Sequence, residues 1–275
     1  MAIAWISLVA SVLSGAAWLI VLSADIGRRP VSEVFSDDIV WSVLTRTRFG
    51  TDWSARLAMA LLLAGGLLML SRRRDAAPQW LKAALATLAA SILGSLAWAG
   101  HAAGTPGLAG DGHMVVDVLH LVAAGAWIGG LVPLALLFAA ARGATDPAVA
   151  AAARATTLRF STLGVIAVGT ILVTGLVNTY LLVGSLQALV ATDYGRLLLV
   201  KIGVFAVIFC IAALNRLRMT RRLSEDRTAG RARQQLRRNS LIEAALGLLI
   251  LVIVGALGTL PPGMHALPSA HRHGM

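Results

Sequence analysis

The chain has 275 residues, of which 57% are hydrophobic and only 13% are charged. Because soluble domains carry about 25% charged residues, this composition excludes a soluble enzyme, a disordered chain and a disulfide-rich secreted scaffold. The formal net charge of +11 is more typical of arginines in the cytoplasmic loops of a membrane protein than of a nucleic-acid surface. We therefore expect a polytopic membrane protein with no nucleic-acid partner.

Seven apolar runs are long enough to span a bilayer, whose hydrocarbon core takes about 20 helical residues to cross. The segment from Met1 to Val9 contains no basic residue, and no small-residue cleavage site follows, which favours a retained helix over a signal peptide. The sequence thus predicts an all-α fold, a polytopic transmembrane helical bundle that forms a single integral-membrane domain over residues 1–275. The predicted spans are residues 2–23, 52–71, 80–100, 114–141, 158–183, 195–215 and 240–260.

Basic residues lie mainly on alternate connections between these spans. The sixth connection, between Arg216 and Arg238, is the richest in arginine, whereas the third connection, residues 101–113, contains no Lys or Arg. Because Lys and Arg accumulate in cytoplasmic loops, this pattern predicts a cytoplasmic N-terminus and an extracytoplasmic C-terminus. The first connection, residues 24–51, carries charges of both signs, and the alternation of the other connections places it outside.

All six histidines then fall on the extracytoplasmic side. His113, Asp117 and His120 are spaced i, i+4 and i+7, which places them on one helical stripe about 10 Å long. The connection before this stripe is short and rich in Gly, so it folds the third and fourth spans antiparallel and brings His101, at the end of the third span, beside the stripe. Imidazole and carboxylate groups at the mouth of a span predict a metal site, in which Asp117 either binds the metal or orients a ligating imidazole.

A structural interpretation of the same residues is also open. His113 fits an interfacial residue at the start of a helix, and Asp117 fits a charge favoured by the helix dipole. His120 differs because it lies two turns inside an otherwise apolar span, where an ionisable group indicates function. The functional interpretation is therefore favoured for His120, and the structural one for His113 taken alone.

The C-terminal tail, residues 261–275, contains two further candidate ligands, Met264 and His265, followed by His271 and His273. Thioether and imidazole groups together suit copper, since thioether favours Cu(I) and imidazole serves either oxidation state. Short histidine-rich tracts often bind metals, but a disordered chain end can have the same composition.

Other polar residues also lie within the predicted spans, among them Thr174, Asn178, Lys201, Asn215 and Glu243. Thr174 and Asn178 are of the type that hydrogen-bonds neighbouring transmembrane helices. Lys201 lies about one turn inside the outer edge, from which its ammonium group can reach the interface. Asn215 and Glu243 lie near the cytoplasmic edge, where the arginine-rich connection offers them partners.

Several segments resemble the CopD family, the integral-membrane copper-resistance protein D. Each motif is weak alone, but their order and spacing together are specific and cover most of the chain. The clearest segments lie in a region that resembles the signature domain of the family, residues 154–258. The segments are RFSTLG (159–164), TGLVN (174–178), YGRLLLVK (194–201) and ALNR (213–216), with TRFG (47–50), HLVAAGAWIGG (120–130) and LGTLPPG (257–263) elsewhere.

The resemblance implies a bacterial inner-membrane protein of copper homeostasis and copper resistance. It implies that copper ions are moved across the membrane, usually inward, and that a periplasmic copper carrier of the CopC type is a partner. The family is often assigned eight spans, one more than the seven counted in this chain. Among the candidate ligands, the resemblance extends to His101 and His120, and less closely to His113.

Three functions are compatible with these residues. The first is a copper permease that needs no nucleotide, because an inward-moving cation gains about 2.3 kcal/mol per charge per 100 mV and the chain lacks a phosphate-binding loop for ATP. The second is a b-type haem electron carrier, which needs paired histidines at matched depth on facing helices and is disfavoured because no further span contains a histidine. The third is a copper chaperone or sensor that binds copper without moving it. We favour the permease, a carrier of copper ions and not an enzyme.

Overall fold

The computed structural model of the chain describes residues 1–35, 38–73, 77–104, 107–141, 147–219 and 229–266. Within these residues the chain is almost entirely helical and contains no β-strand, which confirms the predicted all-α fold. We number the α-helices in chain order: α1 Ala2–Gly27, α2 Ile39–Arg46, α3 Arg48–Arg73, α4 Gln79–Gly94, α5 Gly107–Ala140, α6 Pro147–Val183, α7 Leu186–Ala191, α8 Asp193–Leu214, α9 Ala229–Gly258 and α10 Gly263–Ala266.

Seven helical segments in the described part of the chain are long and apolar enough to cross a membrane. Each of them coincides with one of the seven apolar runs found in the sequence, so the predicted number of spans is confirmed. The segments are Ala2–Gly27, Arg48–Arg73, Gln79–Ala99, Gly107–Ala140, Ala151–Val183, Asp193–Leu217 and Gln234–Gly258.

Two predicted boundaries near the candidate ligands are wrong. The fourth span begins at Gly107 and not at residue 114, because Gly107 adopts a left-handed backbone conformation (φ 69°) from which the chain turns directly into α5. His113 therefore lies inside the helix and not at its start. The third span ends before a bend at Gly100, so His101 does not end that span and instead begins a separate 3-10 turn.

The chain divides into two compact units, residues 1–99 and residues 100–275. In unit 1, α3 packs against α1, α2 and α4. Apolar side chains from three of these helices form its core, which consists of Leu8, Ala60, Leu67, Leu81 and Leu85.

Unit 1 holds a cation inside a membrane span. Arg56 on α3 donates hydrogen bonds to the hydroxyl (3.0 Å) and the backbone oxygen (2.9 Å) of Ser95, just beyond α4. One turn earlier, the indole nitrogen of Trp53 donates to the backbone oxygen of Gly15 on α1 at 2.9 Å. These bonds satisfy polar groups that lipid cannot satisfy, and they tie α3 to both of its long neighbours.

In unit 2, α5 packs against α6 and α9, and α9 also packs against α8. Gly130 explains the close approach of α5 and α6, because a Cβ atom at this position would collide with the ring of Phe160. Between the helices lies a central apolar cluster, which consists of Ala123, Trp127, Ala167, Val168, Ile171, Ile208 and Ile250.

The charge pattern generates a prediction about orientation. A reporter enzyme that is active only outside the cytoplasm should be inactive when fused after Thr228 and active when fused after Gly104, because arginine-rich connections stay in the cytoplasm. Reporter activity is compared at equal expression, and a reporter that works only in the cytoplasm serves as the inverse control. Activity at Thr228 would contradict the topology and would place the candidate ligands at the cytoplasmic face.

Candidate functional site

Asp117 lies at the centre of the candidate site in unit 2. Its Oδ1 atom, on α5, accepts a hydrogen bond of 3.0 Å from the side-chain amide of Asn178 on α6. The side chains of His113, Lys201 and His101 lie close enough to interact electrostatically with this carboxylate. Residues from α5, α6, α8 and the turn before α5 therefore meet in one polar cluster, which consists of His101, His113, Asp117, His120, Thr174, Asn178, Tyr194 and Lys201.

His120 is held by α6 in a defined orientation. Its Nδ1 atom lies 2.9 Å from the hydroxyl oxygen of Thr174, and that hydroxyl donates its own hydrogen to the backbone oxygen of Thr170 at 2.6 Å. Because a hydroxyl has only one hydrogen to donate, Thr174 must accept from His120, so Nδ1 carries the proton of the neutral ring. The lone pair then lies on Nε2, as it does in histidines that bind metals.

The ring of His120 packs against α6 at Gly175, where a Cβ atom would make ordinary van der Waals contact with it. A Cβ atom at Gly175 would lie 3.5 Å from Cε1 of His120, so the imidazole edge lies directly against the backbone of α6. The sequence predicted an interhelical role for Thr174 and Asn178, and the two bonds between α5 and α6 confirm it. It did not predict which side chains on α5 they bind.

His101 is held in a comparable way from the other side of the polar cluster. Its Nε2 atom lies 3.3 Å from the backbone oxygen of Leu257, near the end of α9. A carbonyl oxygen can only accept, so Nε2 carries a proton, and in the tautomer with a single N–H the lone pair lies on Nδ1. The ring packs edge-on against Tyr194, with the two ring centroids 5.9 Å apart, and Tyr194 itself is buried (5% exposed).

His113 and Asp117 do not fit the structural interpretation drawn from the sequence. His113 is 1% exposed, so it is not an interfacial residue at a helix start. Asp117 lies well beyond the first turn of α5, which begins at Gly107, and the effect of the helix dipole falls off within that turn. His113 thus belongs to the buried interior of unit 2, and Asp117 is partly buried.

Lys201 is a charged member of the polar cluster that sequence reasoning did not associate with the site. It lies on α8, is half-buried, and its charge acts on both Asp117 and His120. Spacing along a single helix cannot reveal such a neighbour, because α8 and α5 are far apart in sequence. The apolar surroundings of an ionisable residue are the signal that points to it.

Four of the six predicted ligands, His101, His113, Asp117 and His120, are gathered in the polar cluster, but they do not form a closed metal cage. In the described ranges, no three His, Cys, Asp or Glu residues lie close enough to share one metal ion. Met264 lies in the short helix α10 and is 52% exposed. The side chain of His265 and residues 267–275 lie outside the described residues, so the predicted role of the tail stays a prediction.

Two family models match the chain. The model described as Copper resistance protein D matches residues 153–257, and the model described as Copper resistance protein D-like, N-terminal domain, matches residues 1–111. No solved structure matches the chain.

Curated relatives point to the same family. Copper resistance protein D of Pseudomonas syringae pv. tomato is 32% identical over 82% of this chain and 72% of its own length. Inner membrane protein YebZ of Escherichia coli K12 is 32% identical over 84% of this chain and 74% of its own length. Copper transport protein CutJ of Bacillus subtilis is 29% identical over 82% of this chain and 39% of its own length. The chain therefore belongs to the copper resistance protein D family, as its sequence segments predicted.

The bond between Asp117 and Asn178 generates a prediction about stability. In a double-mutant cycle with Asp117→Ala, Asn178→Ala and the double variant, we expect a coupling free energy of about 0.6–1.7 kcal/mol, the range measured for hydrogen bonds between transmembrane helices. The free energies of unfolding are measured in mixed micelles. The cycle of Asp117 with Thr162, whose hydroxyl bonds only its own helix, is the control and should show no coupling. Equal coupling in both cycles would contradict the assignment.

Proposed function

We propose that this chain moves copper ions across the inner membrane of a bacterium, inward, through the polar cluster of unit 2. The observation that carries the proposal is the pair of histidines, His101 and His120, each of which directs one ring lone pair away from its hydrogen-bond partner inside a membrane protein. The printed names of two relatives, a copper resistance protein and a copper transport protein, support copper as the ion. In this proposal copper is cargo, and the chain is not an enzyme.

The arrangement of the ligands suits passage better than storage. A path for ions needs sites that bind well enough to admit the ion and weakly enough to release it. His113, Asp117 and His120 follow one another along α5 over about 10 Å, and no three metal-binding residues among those described converge on one point. Copper would therefore move between successive partial sites, with imidazole ligands that serve either oxidation state.

Asp117 and Lys201 set the electrostatic conditions for an arriving ion. Their charges oppose each other when the site holds no copper, which limits the cost of placing either group in a membrane span. A copper ion near His120 is attracted by Asp117 and repelled by Lys201, both of which act on this region. The carboxylate thus favours entry, and the ammonium group keeps the binding weak enough for release.

The direction follows from the predicted orientation. If the polar cluster lies near the extracytoplasmic ends of its spans, copper enters from the periplasm and moves down the membrane potential, which supplies about 2.3 kcal/mol per charge per 100 mV. A periplasmic carrier of the CopC type would deliver the ion. Met264 and His265, in the tail that follows α9, are the residues we assign to its reception.

The substitution Asp117→Asn tests the role of the carboxylate. The amide keeps the shape of the side chain and an oxygen that can accept from Asn178, but it removes the charge. We expect the variant to insert and fold normally and to bind copper about 10–100-fold more weakly, the usual scale for a lost supporting group. Copper affinity is measured by competition with a chromophoric chelator. The matched control is Asp193→Asn, which changes an exposed carboxylate paired with Arg196, and equal effects of the two changes would contradict the proposal.

The pair Thr174→Val and Thr170→Val tests the orientation of His120. Both changes replace a hydroxyl by a methyl group on the same helix, one turn apart, but only Thr174 accepts from the imidazole. Without that acceptor the ring is no longer fixed in the form that presents Nε2, so we expect Thr174→Val to weaken copper binding about 10–100-fold. Thr170→Val should leave the affinity unchanged. A loss of affinity in both variants, or in neither, would show that His120 is not the ligand.

A further inference from the structure

A second buried carboxylate lies in unit 2, far from the polar cluster. Glu243 on α9 is 3% exposed, and it lies about 21 Å along the helix from Leu257, whose carbonyl binds His101. Its Oε1 atom accepts a hydrogen bond of 2.7 Å from the side-chain amide of Asn215, at the end of α8. The central apolar cluster separates Glu243 from the polar cluster.

The bond to Glu243 is the last step of a chain of amides. Gln235 donates to Asn239 at 3.2 Å, and Asn239 donates to the side-chain oxygen of Asn215 at 2.6 Å. Each donor in this chain is neutral. The chain therefore fixes the carboxyl group in position without supplying a positive charge.

The described basic side chains around Glu243 do not neutralise a negative charge on its carboxyl group. Arg216, next to its partner Asn215, donates instead to the hydroxyl and backbone oxygen of Ser161 on α6. Arg237 and Arg238, on α9 itself, form no ion pair with Glu243. On α5, residues 121–140 include no titratable side chain. Among the side chains that the structure describes, which do not include that of Arg218, Glu243 thus has one neutral donor and no cation.

A comparison with Asp117 indicates whether the carboxyl group of Glu243 is charged or protonated. Both acids accept one hydrogen bond from an asparagine of a neighbouring helix. Asp117 has the ammonium group of Lys201 nearby to balance its charge, whereas the side chains that the structure describes place no cation beside Glu243. An isolated carboxylate buried in an apolar environment takes up a proton and becomes neutral, because the cost of the unpaired charge exceeds the cost of protonation.

We propose that Glu243 is a proton-binding site, neutral in the copper-free protein, whose proton is displaced by a copper ion that leaves the polar cluster towards Asn215. The O–H bond of the acid breaks, the proton passes to solvent at the Asn215 end of the helices, and the copper ion becomes the counter-charge of the carboxylate. When the ion departs, Glu243 takes a proton back from the same side, so no electron is exchanged and no proton crosses the membrane. The displacement step rests on the proposed function, whereas the neutral acid does not.

The competing interpretation is that the amide chain only joins α8 to α9. The substitution Glu243→Gln distinguishes this structural interpretation from the proton site. Glutamine keeps the oxygen that accepts from Asn215 but cannot carry the acidic proton. Helical content and thermal unfolding of Glu243→Gln should match the wild type. Glu243→Asp retains an acid at a slightly shifted position and is the second variant.

The experiment is infrared difference spectroscopy of the full chain in lipid vesicles at neutral pH, which detects the carbonyl stretch of a protonated carboxylic acid. We expect this band in the copper-free wild type and in Asp117→Asn, its absence in Glu243→Gln, and a shifted band in Glu243→Asp. A band that is unchanged in Glu243→Gln would overturn the proton site.

A copper salt, added in each oxidation state in turn, then tests displacement. The band should weaken in the wild type as copper binds. A band that persists while chelator competition shows bound copper would overturn the displacement step and leave the proposed copper path intact. If no copper binds to the wild type, the proposed function and the displacement step both fail, and the copper-free band still decides whether Glu243 holds a proton.

Discussion

A carboxylate inside a membrane-spanning helix must be compensated by its own protein, because lipid offers neither hydrogen bonds nor counter-charges. In unit 2 the compensation of Asp117 brings together residues from distant parts of the chain. Asn178 supplies a hydrogen bond from α6, while Lys201 supplies an ammonium group from α8 and His113 an imidazole ring from α5. The same contacts place His101 and His120 in the neighbourhood of the carboxylate, so the candidate copper path depends on how this one charge is accommodated.

The second buried carboxylate gives unit 2 a layered arrangement along its helices. The polar cluster lies at one level, the central apolar cluster at the next, and Glu243 with its chain of amides at the third. An ion that passes from the first level to the third must cross packed apolar side chains, and hydrophobic constrictions of this kind act as gates in channels. The site for release would then be separate from the site for entry, with different chemistry at each.

Sequence reasoning recovers the features that depend on local patterns. Seven long apolar runs identify the seven spans, and the i, i+4, i+7 spacing places His113, Asp117 and His120 on one face of α5, because a straight helix preserves that relation. The start of α5 was missed, since the backbone conformation of Gly107 and not hydropathy decides it. The sequence did not relate Glu243 to Asn215, whose amide binds it. Residues 220–228 of the arginine-rich connection lie outside the described residues, so the partners predicted from that connection stay a prediction.

The sequence did not predict which side chains of neighbouring helices contact each other. Nothing in the spacing relates Lys201 to Asp117 or Thr174 to His120, because relative rotation of two helices is set by packing, as at Gly130 and Phe160. For example, the pattern predicts a function for His120, but only its bond to Thr174 identifies which ring nitrogen keeps the lone pair.

Passage of copper through the chain is tested most directly in sealed vesicles that contain the purified protein and an encapsulated fluorescent copper indicator. With a membrane potential imposed negative inside, the account predicts that copper in the lumen rises above the level in protein-free vesicles, increases with the potential, and falls to the protein-free level with His120→Ala. Copper that binds to the protein while the lumen stays at the protein-free level at every potential would contradict transport and indicate a copper chaperone or sensor.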